Sequence, residues 1–205
     1  MNRNNYDFVA PFYNALASVI FVNRINKSQF ALLSELKQQT NILYIGGGTG
    51  VILDQLLELN SNARITYLEK SKKMIFQTKK KSISHNRINY ILGTEDDLKN
   101  EKFDAIITNY FLDQFDKRTR ERIFDSLTAK LIYNGLWIAT DFNPAKKWWQ
   151  IIIEKLMFLF LKACTNIQSG KIPDIKILFK ANVFQLVAKE RFYGNYIFSR
   201  LYKKL

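Results

Sequence analysis

The chain has 205 residues, 47% of them hydrophobic, with 31 Lys and Arg against 18 Asp and Glu for a net charge of +13. That length buries a substantial core without metal or disulfide support, and a single cysteine, Cys164, excludes an internal disulfide and suits a reducing cytoplasm. The charge admits phosphate backbones or anionic membrane surfaces as partners through non-specific electrostatics, but the apolar stretch 151–163 is interrupted by Glu154, Lys155 and Lys162 and falls short of the roughly 20 residues a bilayer crossing takes.

In chain order, the opening Met1-Asn-Arg-Asn-Asn leads into interrupted amphipathic sequence without the marks of a signal peptide. Residues 11–23 and 27–38 predict two N-terminal helices, with Phe12, Leu16, Val19 and Ile20 recurring on one face of the first. Asn41-Ile-Leu-Tyr-Ile-Gly-Gly-Gly-Thr-Gly50 then reads as a strand over 41–45, a glycine turn and a helix near 49–59, and a second strand over 64–69 ends in Glu69. Glycines let the backbone approach a ligand that a Cβ would push away, and an acid at the next strand tip can accept both hydroxyls of a ribose. The glycines at 46, 48 and 50 are spaced Gly-x-Gly-x-Gly; a dinucleotide fingerprint is spaced Gly-x-Gly-x-x-Gly and needs glycine where Val51 or Ile52 stands.

The stretch Lys70–Lys81 predicts an amphipathic helix over 71–81 with Met74 and Ile75 inward and its lysines in solvent. The only histidine, His85, falls in a surface loop. A third strand near 88–92 leads to Gly93-Thr-Glu-Asp-Asp97, and a fourth near 103–108 breaks into Asn109-Tyr-Phe-Leu-Asp113. A helix near 117–131 and a strand over 135–141 follow. Pro144 opens a long helix near 145–164, rich in Trp148, Trp149, Met157, Phe158 and Phe160, read equally as lid or as core. Pro173 opens a short helix, and two β-rich runs flank Tyr193-Gly194-Asn195 as a hairpin. Strands alternating with helices predict a mainly parallel sheet covered on both faces.

With the segment Tyr6–Tyr13, the glycine turn, Glu69, the acidic tip of the third strand and Leu131–Asp141 in view, the chain resembles the class I S-adenosylmethionine-dependent methyltransferases. Within them it looks like the small-molecule methyltransferases of quinone biosynthesis, from about Tyr6 to Phe142. The resemblance implies an α/β fold: a Rossmann-like, doubly wound, seven-stranded, mostly parallel sheet with N-terminal helices and a C-terminal antiparallel hairpin. It implies a single domain over 1–205, comprising a helical cap (1–38), a cofactor-binding core (41–142), a helical lid (144–170) and a C-terminal helix and hairpin (171–205).

It further implies S-adenosylmethionine as cofactor, S-adenosylhomocysteine as product and a small, apolar or aromatic acceptor, with no metal. Carried over residue by residue, Gly46, Gly47, Gly48, Thr49 and Gly50 pass beneath the methionine and ribose, and Glu69, followed by Lys70, takes the ribose hydroxyls. Thr94 stands where the family often has an acid for the adenine amino group, with Glu95 and Asp96 next in line. Asn109 lies beside the methionine end, Tyr110 and Phe111 wall the cavity, and Tyr13 folds over the cofactor. Tyr6, Phe111, Asp113 and Trp148 are the substrate candidates. Tyr44 departs from the family, which usually has an acid there for the methionine amino group. The sulfonium is already activated, so alignment and exclusion of water suffice; where a base is needed, Asp113 and Asp141 are the candidates, each equally able to bond backbone or cap a helix. Asn109-Tyr-Phe-Leu112 lacks the Asn-Pro-Pro-Tyr pattern of enzymes that methylate base amines. An RNA or protein methyltransferase is therefore the weaker reading, beside a cofactor-binding relative without catalysis. Peripheral contact with a membrane stays open.

Overall fold

In the computed structural model, residues 25–81, 85–155 and 172–205 are described. Seven strands form one sheet: β1 (Asn41–Ile45), β2 (Arg64–Glu69), β3 (Ile88–Leu92), β4 (Phe103–Asn109), β5 (Leu131–Phe142), β6 (Phe184–Phe192) and β7 (Ile197–Lys204). Their order is β3-β2-β1-β4-β5-β7-β6. β1 to β5 pair in parallel, whereas β7 lies antiparallel to β5 and to β6. The order reverses direction at β1 and β4, and the crevice beyond the carboxyl ends of strands at such a point is where open α/β sheets bind ligands.

Successive side chains of a strand point to opposite faces, so a central strand covered on both sides must be apolar throughout. β1 obeys this: Ile42 and Tyr44 join one core with Leu53, Leu56, Ile65 and Tyr67, while Leu43 and Ile45 join the other with Ile106, Phe124 and Trp137. In the second core the Trp137 ring stacks on Phe124 at 5.1 Å, and its indole N–H donates to Thr108 Oγ1 at 3.0 Å. The one polar atom of that buried ring is thereby satisfied.

The helices are α1 (Leu53–Leu59), α2 (Lys72–Lys81), α3 (Lys117–Lys130) and α4 (Lys176–Lys180), with further helical stretches at 25–30 and 148–155. Three boundaries differ from the sequence expectation. The helix expected from 49 begins only at Leu53, because Gly50 has φ +64° and its carbonyl closes a turn to the Leu53 N–H at 3.1 Å. The helix expected over 27–38 is instead helical at 25–30, with a separate short turn at Leu33–Leu36. The fifth strand starts at Leu131, directly after α3, and absorbs Ile132–Gly135 as an irregularity, with Asn134 at φ +60°. The start of α3 is as expected: Asp116 Oδ1 accepts from the Thr119 N–H at 3.1 Å and Oδ2 from its hydroxyl at 2.7 Å. Tyr193, Gly194 and Asn195 all have positive φ and turn β6 into β7.

Among the described residues no helix is long and apolar enough to cross a membrane.

Candidate active site

β1 ends where the Gly46 N–H donates to Leu68 O at 2.9 Å. Gly46 then takes φ +65°, and a Cβ added there would lie 2.3 Å from Phe111 Cδ2. That ring therefore packs directly on the backbone of the turn. Gly48, at φ +59°, is different: a Cβ there would meet no atom within 4 Å. The turn thus presents a bare, unobstructed backbone on the side where close approach of a ligand requires one.

Glu69 closes the turn from β2. Its Oε2 accepts from the Gly48 N–H at 3.1 Å and its Oε1 from the Ser71 N–H at 2.9 Å. An ionised carboxylate has about four lone-pair sites, so each oxygen retains one, the number a vicinal diol needs. Thr49 and Gly50 follow half-buried, and Lys70 is exposed.

The third strand's tip is organised around α3. The Thr94 N–H donates to Asp97 Oδ2 at 2.8 Å. Glu95, its side chain 4% exposed, pairs with Arg122 at 2.8 Å, and the same guanidinium reaches the exposed Asp96 at 3.3 Å.

At the end of β4, Asn109 is buried and its Nδ2 donates to Gln29 Oε1 at 3.4 Å, while its Oδ1 has no partner. Tyr110, at φ +51°, shares a hydrogen bond with the Ser28 hydroxyl at 2.7 Å and packs on Phe142; burial holds its phenol above the ordinary range. Phe111 lies edge to face with Phe115. Asp113 follows in the next turn, and Asp141 near the end of the adjacent β5 bonds to it. Burial raises both carboxyls, Asp141 the more, with Arg120 nearby as the opposing charge on Asp113. Tyr44, in place of an acid, is wholly buried and donates to Gly47 O at 3.3 Å; burial keeps it protonated.

The glycine turn, Glu69, Asn109, Tyr110, Phe111, Asp113 and Asp141 therefore sit at the carboxyl ends of β1, β2, β4 and β5. Trp148 does not join a buried site: it is 74% exposed, while Trp149 packs on Tyr193 at 4.9 Å and Gln150 Nε2 donates to Gly194 O at 3.2 Å. Tyr6, Tyr13, Met157, Phe158 and Phe160 lie outside the described residues. His85 precedes β3, at the opposite end of that strand from its acidic tip. Sequence reasoning missed Ser28, Gln29, Tyr67 and Thr78. Strand alternation offered a signal for Tyr67, which shares a face with Glu69; the others have none in local pattern. No group of residues able to hold a metal occurs among those described.

The residues fit an adenosyl ligand: an acid with two spare acceptor positions beside a turn whose middle glycine is open, and a buried amide oxygen without a partner. In comparisons with known proteins, the family described as a methyltransferase domain matches residues 43–136. A malonyl-[acyl-carrier protein] O-methyltransferase of Ilyobacter polytropus is 31% identical over 100 residues, 48% of this chain and 37% of that protein. The chain thus spans well under half the length of this relative. The magnesium protoporphyrin IX methyltransferase of Synechocystis, solved with bound S-adenosylhomocysteine, superposes with a TM-score of 0.66 at 16% identity, over 97% of this chain and 98% of that one. The N-methyltransferase NodS of Bradyrhizobium japonicum, also solved with that product, gives 0.62 at 14% identity, over 86% and 84%. These likenesses establish the fold.

Proposed function

We propose that this chain, whose residues 43–136 form a methyltransferase domain within a class I methyltransferase fold, uses S-adenosylmethionine to methylate a small apolar or aromatic acceptor. The observation that carries the reading is Glu69, held by Gly48 and Ser71 so that both oxygens face one task with acceptor capacity to spare. The bound cofactor would supply a sulfonium-activated methyl group. The chain's own residues bind and orient: Glu69 accepts the ribose hydroxyls, the Gly48 backbone admits the ligand without a Cβ, and Asn109 supplies an amide oxygen at the methionine end. Tyr110 and Phe111 exclude water beside it, strengthening these polar contacts. Where the acceptor is a hydroxyl, Asp113 and Asp141 are the candidates to take its proton.

A second reading follows from the surface. The relative's name specifies a carrier-bound acyl carboxylate, and Lys72, Lys73, Lys79, Lys80 and Lys81 of α2 are all exposed, which favours an anionic acceptor or carrier. A KM that rises steeply with salt would support this reading over a neutral aromatic acceptor.

The test of cofactor use is calorimetry with S-adenosylhomocysteine on wild type and Glu69→Ala. Micromolar binding, about −8 kcal/mol, that collapses in a variant shown by melting to be folded supports the reading. Silence in the wild type sinks it.

A further inference from the structure

Three tyrosines stand in register across the sheet, Tyr44 opposite Tyr67 and Tyr67 opposite Tyr90, with rings edge to face at 5.4 and 5.7 Å. Tyr44 and Tyr67 are fully buried, and a Cβ added to Gly47 would strike both rings, so the glycine turn rests on this aromatic floor. Their hydroxyls end on the turn's carbonyls. Tyr67 donates to Gly48 O at 2.5 Å, and Tyr44 to Gly47 O at the longer 3.3 Å. The Thr78 hydroxyl has one proton for three acceptors, Met74 O at 2.9 Å, Gly48 O at 3.2 Å and the Tyr67 oxygen, so Tyr67 is the committed donor to Gly48.

Gly48 is therefore held at both its polar atoms, the N–H by Glu69 and the carbonyl by Tyr67. A trans peptide points its C=O and the next N–H in opposite directions. Drawing Gly48 O down onto the floor turns the Thr49 N–H away from it.

We propose that Tyr67 is a positioning residue for the cofactor: its hydroxyl fixes the Gly48–Thr49 peptide so that the Thr49 N–H is presented to the ligand as a donor. The proposal rests on the methyltransferase reading. Burial, with the Glu69 charge adding to it, keeps the Tyr67 phenol protonated and so able to donate throughout the working pH range. A residue that merely filled the core would need only its ring.

The experiment compares wild type, Tyr67→Phe and Tyr44→Phe by titration with S-adenosylhomocysteine, together with the Thr49 amide resonance of the ligand-free proteins. Tyr67→Phe keeps the ring and is expected to weaken binding about tenfold, the scale of one well-formed hydrogen bond. It should also shift the Thr49 resonance before ligand is added, whereas Tyr44→Phe stays within about twofold given its longer bond. Thr78→Val, which removes the second hydroxyl near Gly48 O, is expected to weaken binding by a smaller factor and gives a reading even if Tyr67→Phe folds poorly. Wild-type affinity in both Tyr67→Phe and Thr78→Val, with an unmoved Thr49 resonance, overturns the positioning role while leaving cofactor use intact. A wild type that binds no S-adenosylhomocysteine removes the functional reading and this role with it.

Discussion

Asp141, near the end of β5, and Asp113, in the turn after β4, are buried carboxyls close enough to interact, and both hold their protons above the ordinary carboxyl range, an arrangement in which the pair can share one proton. Asp113 Oδ1 is buried without a hydrogen-bond partner, and Asp141 Oδ1 accepts from the Phe142 N–H at 2.8 Å. Burial is the main cause of the raised affinity for the proton at both residues. For Asp141 the neighbouring Asp113 charge and the bond to it add to this. Two like charges in one dry site cannot both form cheaply, and the pair titrates as a unit.

This arrangement makes stability depend on pH with a definite sign. A carboxyl whose folded pKa lies above its unfolded value, about 3.9, binds its proton more tightly when folded. Its stabilising contribution is full below that value and is lost as pH rises through the folded pKa. The facing groups are Tyr110 and Arg120, of which only Arg120 opposes the effect. Asp141→Asn keeps the donor without the titration. The variant should therefore gain melting temperature over wild type as pH rises from about 4 toward neutrality, the two curves converging at the acid end. A difference that stays constant with pH would show that no shared proton is held.

Gly46 and Gly48 have nearly the same φ but opposite surroundings, which separates folding from binding. An alanine at either position incurs left-handed strain of about 1–2 kcal/mol. Gly46→Ala must in addition displace the Phe111 ring, so its melting temperature should fall well below that of Gly48→Ala. Gly48→Ala meets no protein atom, and its methyl fills the space the ligand needs. It should lose only the stability that the backbone strain costs, yet lose most affinity for S-adenosylhomocysteine. Near-wild-type binding by folded Gly48→Ala would remove this face of the turn from the site.

Much of this organisation is legible in the sequence because it is local. The strand-turn-strand pattern ending in Glu69 states its own geometry, since glycine, alternation and a terminal acid act within one β–α–β unit. Tyr67 was not legible as a support for the turn, because its meeting with Gly48 O depends on how far the chain folds back between β1 and β2. Ser28 and Gln29 reach Tyr110 and Asn109 across about 80 positions, a separation no periodicity encodes. The early start of β5 escaped detection because Ile132–Gly135 is accommodated as a bulge, where pairing with β4 shifts register between Phe103 and Ala105.

Arg122 pairs with two carboxylates of different burial, so it tests how far burial decides the strength of an ion pair. Asp96 is 68% exposed, and an exposed pair contributes roughly 0–1 kcal/mol; Asp96→Asn should leave stability within about 0.5 kcal/mol of wild type. The Glu95 side chain is 4% exposed, and removing its cation strands a desolvated carboxylate at a cost of about 1–3 kcal/mol. Arg122→Ala should accordingly lower the melting temperature by several degrees, and much of the loss should persist at high salt because the carboxylate end of the pair is buried and a partly buried pair is less screened than an exposed one. Arg122→Lys keeps a charge but not the forked geometry that reaches both acids, and should fall between the two. Equal losses in Asp96→Asn and Arg122→Ala would mean that the exposed pair carries the interaction and that Glu95 is not held by Arg122.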